Sequence, residues 1–205
     1  MDSTVTRDAG EMQTRERMLD AAVELFHRHS YAGTSLQMIA DELGLTKGAI
    51  YHHFRTREDL LRAIVTPMLD ELRIIVETAE QHRGARARAE HMLQGYAGLL
   101  AVNRRVAAVL ALDPGVLEVL RANPDWNRLI GRQIALLADV EAGPAGQIRA
   151  TTVMAGIAAA ADPRTASLED AELRELLAET GRRTLGLRAP RRNQPALDGA
   201  AAASG

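Results

Sequence analysis

The sequence predicts an all-α protein, and three observations support that prediction. Apolar residues recur at spacings of three and four along most of the chain, as they do on one face of an α-helix. No stretch alternates β-branched and polar residues in the manner of a strand. Breaks that contain Gly or Pro divide the chain into segments of helical length. A very short break near residue 44 further predicts an N-terminal helix-turn-helix.

The first three predicted helices surround that break. Helix 1 is predicted over about residues 13–29, and its buried stripe is expected to be Met18, Ala22, Leu25 and Phe26. Thr34 is expected to cap the second helix, with Gln37 completing a capping box. Gly44 stands where a helix C-terminus favours a left-handed residue, and Thr46 is able to cap the third helix at once. In this arrangement the third helix enters the DNA major groove, so residues 1–55 are predicted to bind DNA.

The third helix has one packed side and one side suited to a groove. Ile50 and Phe54 fall on the packed side, whereas Gly48 points nearly opposite and adds little bulk. Lys47 and the histidines that follow offer hydrogen-bond donors. The expected DNA contacts are Ser35, Thr46, Lys47, Gly48, Ala49, Tyr51, His52, His53 and Arg57.

The segment GLTKGAIYHHF at residues 44–54, followed by REDL at residues 57–60, resembles the N-terminal domain of the tetracycline-repressor (TetR) family. The resemblance covers about residues 14–65, and Arg57 stands where this family most often has lysine. It implies a homodimeric, ligand-responsive repressor that a hydrophobic small molecule releases from a palindromic, double-stranded DNA operator. It implies no cofactor and no catalytic residue.

The rest of the chain is predicted to be helical up to about residue 187. A long helix is expected over residues 56–81, capped by Thr56 and bent at Pro67. Further helices are predicted over residues 85–102, 104–112, 115–122, 124–141, 145–161 and 168–187. Residues 56–187 are therefore assigned to effector binding and dimerisation. Residues 188–205 lack core-forming side chains and predict a disordered tail.

The second region has few aromatic residues, so a cavity in it would have mainly aliphatic walls. Such walls with few polar anchors suit a hydrophobic effector, although the same side chains also suit a plain core. The expected effector contacts are Met68, Leu72, Met92, Tyr96, Leu100, Asn103, Trp126, Ile130 and Met154.

The family resemblance implies that the last two helices pair with their copies in a four-helix bundle. Small residues near the end of the predicted helix 145–161 would let another helix approach closely, and leucines follow the helical spacing of the next helix. The expected dimer contacts are Met154, Ile157, Ala158, Leu173, Leu177 and Thr180.

Composition and residue spacing argue against several other classes of function. The chain has no cysteine, which excludes disulfides and thiolate chemistry. It has no apolar run of about 18 residues, so we expect neither a membrane span nor a signal peptide. We therefore expect a cytoplasmic protein. His27 and His29 lie two apart on a helix and diverge, so no metal site is expected.

Net charge argues mildly against DNA binding. Residues 1–60 carry seven Lys or Arg and ten Asp or Glu, a net charge of −3. Lys47, Arg55 and Arg57 are nevertheless clustered, and the position of charge matters more than its sum over a screening length of about 8 Å. Two alternatives remain: a DNA-binding dimer without a ligand, and a small all-helical enzyme with a scattered site. No common catalytic motif supports the enzyme.

Overall fold

The computed structural model describes residues 3–163 and 167–187, with side chains from residue 10 onward. Within these ranges the chain forms ten α-helices and no strand, which confirms the predicted all-α class. The helices are α1 Ser3–Gly33, α2 Leu36–Glu42, α3 Lys47–His53, α4 Arg57–Glu80, α5 Ala85–Val102, α6 Arg104–Leu112, α7 Pro114–Arg121, α8 Pro124–Ala138, α9 Pro144–Ala160 and α10 Asp170–Leu185. The predicted tail at 188–205 lies outside the described residues.

The three N-terminal helices pack on the predicted apolar stripe of α1. Met18 and Ala22 are fully buried, and Leu25 and Phe26 are each 3% exposed. Ile39 from α2 and Ile50 from α3 complete this core and are fully buried. The side of α3 that carries Ile50 is thereby turned inward, so its opposite side faces solvent.

The turn between α2 and α3 follows the sequence prediction at its centre. Gly44 has φ 65°, the left-handed conformation that favours glycine. The Thr46 hydroxyl accepts a hydrogen bond from the Ala49 N–H, as an N-cap does. Together they let α3 begin at Lys47, with only three residues between it and the C-cap of α2 at Leu43.

The predicted capping box at the start of α2 is wrong. Ser35 is the N-cap, and its hydroxyl accepts from the Met38 N–H. Thr34 is buried instead, and its hydroxyl donates to the carbonyls of Ser30 at 2.8 Å and Leu25 at 3.2 Å. Burial of its methyl group and hydroxyl against α1 therefore removes Thr34 from the cap position.

The long helix α4 connects the N-terminal helices to the others. Thr56 and Asp59 form a reciprocal capping box at its start. The helix continues unbroken through Pro67 to Glu80. It packs on α5, which lies at the centre of the C-terminal part and also contacts α8 and α10.

Among the described residues, no single helix has the length and apolar character that a membrane crossing requires. The helices α5 and α6 have that length and apolar character only when they are taken together, and a bend of 104° separates them.

One core residue is polar without a visible reason. Gln133 on α8 is fully buried, and neither amide atom has a hydrogen-bond partner within the described part of the chain. A buried amide without partners costs free energy, because it has lost its hydrogen bonds to water.

We therefore expect Gln133→Met, which keeps the side-chain length, to raise the free energy of unfolding by about 1–3 kcal/mol. Urea unfolding followed by circular dichroism measures the change. Gln147→Met, at an exposed position on α9, is the matched control and should change stability by less than about 0.5 kcal/mol. A loss of stability in Gln133→Met would mean that the amide is hydrogen-bonded in solution.

Candidate nucleic-acid interface

The outward side of α3 is a continuous polar surface. Thr46, Lys47, Gly48 and His52 are exposed, and Tyr51 is 44% exposed, which is unusual for so large a ring. The Lys47 ammonium lies 5.7 Å from the centre of the Tyr51 ring, so both side chains project from one patch. Ser35, at the start of α2, is also exposed, whereas Ala49 and His53 lie at its edges. We call these eight residues the α3 surface.

The α3 surface rests on a rigid support. Ile50 is fully buried and Phe54 is 3% exposed, so α3 is fixed at its middle and at its C-cap. The Arg15 guanidinium from α1 lies 5.4 Å over the Phe54 ring and adds a cation–π contact. Side chains on α3 are therefore held at a defined distance from α1.

Ion pairs and hydrogen bonds reduce the electrostatic objection from net charge. Glu42 pairs with Arg28 at 2.9 Å, and Asp41 accepts a hydrogen bond from Gln37 at 2.7 Å. These are the two acidic residues that precede α3 most closely in sequence, and both already have partners. Arg28 offsets the charge of Glu42, whereas Asp41 remains charged, and Lys47 and Arg55 supply positive charge at the two ends of α3.

Arg57, the ninth predicted DNA contact, has partners within the protein. One terminal nitrogen of its half-buried guanidinium donates to the carbonyls of Tyr31 at 2.9 Å, Ala32 at 2.9 Å and Thr34 at 3.0 Å. The guanidinium also lies 5.0 Å over the Tyr31 ring. Arg57 therefore stabilises the α1–α2 connection, and its contact with a DNA phosphate stays a prediction.

Most of the predicted effector contacts belong to the packed core. Met68, Leu72, Met92, Tyr96 and Leu100 are all at most 7% exposed. Burial raises the pKa of the Tyr96 hydroxyl, which donates to the Met154 carbonyl at 3.3 Å. The Asn103 amide donates to the Leu99 carbonyl, and Ile130 packs against the core. The sequence pattern could not distinguish residues that fill the core from residues that line a cavity, because aliphatic side chains serve in both places.

An open cleft of about 410 Å³ lies instead between α4 and the α7–α8 corner, and Trp126 is the one predicted contact that lines it. Its floor is apolar, with Leu61, Val65 and Leu129 nearly buried. Among its charged lining residues, Arg73 pairs with Asp70. Arg62 and Asp125 also line it, and they pair with Asp59 and Arg128, which do not. We call this the α4–α7–α8 cleft.

Five of the six predicted dimer contacts are buried or half-buried within the protomer. Ile157, Leu173 and Leu177 are between 3% and 5% exposed within the protomer, and Met154 and Ala158 are half-buried. Thr180 alone among the six is exposed. Exposed residues without charge on the two helices include Ile148, Thr152, Ala155, Gly156, Ala159 and Leu176, whereas most other exposed residues of α10 are charged. We call these the α9–α10 outer face.

No three His, Asp or Glu side chains in the described part of the chain lie close enough together to hold a metal ion. His82 and His91 do approach, with ring centres 4.6 Å apart. Burial, and then the neighbouring His82, lower the pKa of His91.

Two short helices that cross at a tight turn, with an exposed second helix on a rigid support, form the arrangement of a helix-turn-helix DNA-binding domain. Residues 18–64 match the family profile of bacterial regulatory proteins, tetR family. A solved structure of a TetR transcriptional regulator family member from Streptomyces coelicolor has a TM-score of 0.66 and 25% identity, over 84% of this chain and 91% of that chain. The N-terminal part of the chain is therefore similar to the DNA-binding domain of tetR-family regulators.

Two curated relatives match less than a third of the chain. The transcriptional regulator AcrR of Shigella flexneri is 44% identical over 52 residues, which are 25% of this chain and 24% of that protein. The transcriptional repressor KstR2 of Rhodococcus jostii is 34% identical over 64 residues, 31% of each chain. The chain therefore spans less than a third of the length of these two relatives. They are transcriptional regulators and not enzymes.

Proposed function

We propose that this protein is a homodimeric transcriptional repressor that binds a palindromic operator through α3 and leaves it when a hydrophobic small molecule occupies the α4–α7–α8 cleft. The observation that carries the proposal is the exposed α3 surface on its buried Ile50–Phe54 support. A helix held in this way is able to enter the major groove, where Lys47 and Tyr51 reach bases or phosphates.

Dimerisation is supported by the α9–α10 outer face. Residues 151–160 contain no charged side chain, although their outer positions are exposed in the protomer. A helix that is apolar on all sides is normally covered on all sides. A second copy of the same face would cover it, and the two-fold axis would give two α3 helices that bind two operator half-sites.

The class of effector follows from the cleft. Its floor is aliphatic with one indole, and four of its charged lining residues, Arg62, Asp70, Arg73 and Asp125, each have an ion-pair partner. Paired charges offer little to a strongly charged ligand, whereas the floor gains from covering apolar surface. A largely apolar organic molecule is therefore the proposed ligand class.

Selection of random double-stranded DNA by the purified protein tests the function directly. Recovery of one inverted-repeat sequence would support the repressor, and recovery of no preferred sequence would contradict it. The same sequence can then be titrated to measure the affinity of variants.

The core packing of five predicted effector contacts favours a second candidate, a DNA-binding dimer without a ligand. Thermal denaturation with a set of apolar metabolites separates the two, because a ligand that binds the native state raises its melting temperature. A ligand that also weakens operator binding supports the sensor.

Lys47→Ala and Tyr51→Phe are each expected to weaken operator binding by about 1–3 kcal/mol, because each removes a contact to a base or a phosphate. Both side chains are exposed, so the melting temperature should stay nearly constant. Arg86→Ala, at an exposed position on α5, is the control for loss of a positive charge far from α3.

Lys47 also offers a footprint, because it is the chain's single lysine. Acetylation with an N-hydroxysuccinimide ester should modify Lys47 in the free protein and spare it in the operator complex, as peptide mass spectrometry would detect. Equal modification in the free protein and in the complex would mean that Lys47 is not part of the DNA interface.

A further inference from the structure

The connection between α1 and α2 contains a residue in a rare conformation. Ser30 has φ 62° and ψ 164°, and it is the only residue other than glycine with positive φ in the described part of the chain. Residues with a side chain seldom adopt this conformation, and they persist in it where their surroundings hold them. Two groups from other helices hold the segment of residues 30–34.

One of these groups comes from the start of α7. The buried Asp113 carboxylate accepts from the Tyr31 N–H through one oxygen, across 82 residues of sequence. Its other oxygen accepts from the N–H groups of Gly115 at 2.9 Å and Val116 at 3.3 Å, and so caps α7. A Cβ on Gly115 would lie 3.3 Å from the Tyr31 ring, so α7 and Tyr31 are in close contact.

The second group comes from the start of α4. Arg57 donates to the carbonyls of Tyr31, Ala32 and Thr34. Asp113 therefore holds the N–H of Tyr31 while Arg57 holds its carbonyl. The segment that leads into α2 is fixed by two residues from two different helices.

Both of those helices line the α4–α7–α8 cleft. Glu58, next to Arg57, is at the α4 end of the cleft, and Val119 and Leu120 line it from α7. The helix α7 has eight residues and is about 12 Å long, so a displacement at its cleft end reaches Asp113 with little loss.

We propose that Asp113 is a positioning residue that transmits occupation of this cleft to the DNA-binding helices. The proposal rests on the function proposed above. A molecule that separates α7 from α4 moves Asp113 relative to Arg57, so the two can no longer hold Tyr31 together. Ser30 then relaxes, and α2 and α3 change their orientation on α1. A ligand does this only as far as it binds the separated state more tightly.

The absence of cysteine allows a test without a known effector. Thr66→Cys places one thiol in the cleft, where N-phenylmaleimide supplies a covalent apolar occupant. Thr78→Cys is the matched control outside this cleft, because both threonine hydroxyls donate at 2.7 Å to the carbonyl four residues earlier in α4. Labelling at residue 66 should weaken binding to the selected operator about tenfold, and labelling at residue 78 by less than about threefold.

The substitution Asp113→Asn distinguishes a role in transmitting cleft occupation from a role in stabilising the fold. Asparagine is a good helix N-cap, so its single side-chain oxygen is able to keep the α7 cap while its NH₂ group faces the Tyr31 N–H. In this background the label at residue 66 should change operator affinity by less than about twofold. If Asp113 only stabilises the fold, the substitution lowers affinity equally with and without label, and the tenfold ratio persists. That outcome would overturn the proposal.

Amide hydrogen exchange provides a readout that needs no DNA. The label at residue 66 should speed exchange of the Tyr31 amide in NMR spectra, as Asp113→Asn alone should, and the label at residue 78 should not. If no operator is recovered, the repressor function fails while this measurement still tests the connection. Unchanged Tyr31 exchange in the labelled Thr66→Cys protein would overturn the proposed transmission even where operator binding is normal.

Discussion

Ala155→Glu is expected to give a folded monomer that no longer binds the operator at concentrations where the wild-type protein saturates it. Ala155 is exposed in the protomer and lies in the uncharged stretch of α9. A two-fold interface places the new carboxylate on both sides, close to its own copy and away from water. Burial of two unpaired charges costs more than a helix-pair interface of small residues supplies. Sedimentation velocity measures the loss of the dimer.

Two further substitutions make this prediction specific. Ile74→Glu also puts a carboxylate at an exposed apolar position, 63% exposed on α4, and should leave the dimer intact. Ile157→Glu, two residues from Ala155 but only 3% exposed, should unfold the protomer, because its carboxylate enters the core. Circular dichroism separates unfolding from dissociation. A dimer that survives Ala155→Glu would place the interface on another surface.

Arg57→Ala is expected to lower the free energy of unfolding by about 3 kcal/mol, because hydrogen bonds to a charged donor contribute about 1.5–3 kcal/mol each and these three share one nitrogen. The carbonyls of Tyr31, Ala32 and Thr34 all lose that donor. Operator binding should fall as well, since this segment leads into α2. Chemical denaturation followed by circular dichroism measures the first effect.

The controls for Arg57 lie beside it. Arg57→Lys keeps a cation with three donors on one nitrogen but loses the planar group over Tyr31, so it should be less destabilising than Arg57→Ala. Arg55→Ala, at an exposed position two residues earlier, should leave stability unchanged and weaken operator binding. Equal stability of Arg57→Ala and the wild type would mean that Arg57 does not stabilise the fold. Its predicted role would then be the contact with a DNA phosphate alone.

Burial raises the pKa of Tyr31 to about 12, with the negative charge of Glu58 as the next cause. The neutral phenol is therefore maintained throughout the physiological range. Tyr31 thus packs on Phe26 and beneath Arg57 without a change of charge.

The sequence by itself determined the features that depend on neighbouring residues. Gly44 and Thr46 predicted the turn, because a left-handed residue and an N-cap act within one helical turn. The stripe from Met18 to Phe26 predicted the buried side of α1, because polar residues between its members give the periodicity contrast. The α3 surface followed from the buried Ile50 in the same way.

The tertiary structure decided the features for which the sequence shows no contrast between an apolar and a polar side. Helix α9 is apolar on nearly every side, so spacing could not tell Ile157, which packs inside, from Ala155, which faces out. Likewise the core and the cleft share aliphatic side chains, and only the arrangement of α4, α7 and α8 around the cleft separates them. The partners of Arg57 and Asp113 depend on contacts across 23–26 and 82 residues, respectively. Their charge and cap positions were visible in the sequence, but chain topology alone brings both to Tyr31, because a hydrogen bond requires an approach that no local pattern encodes.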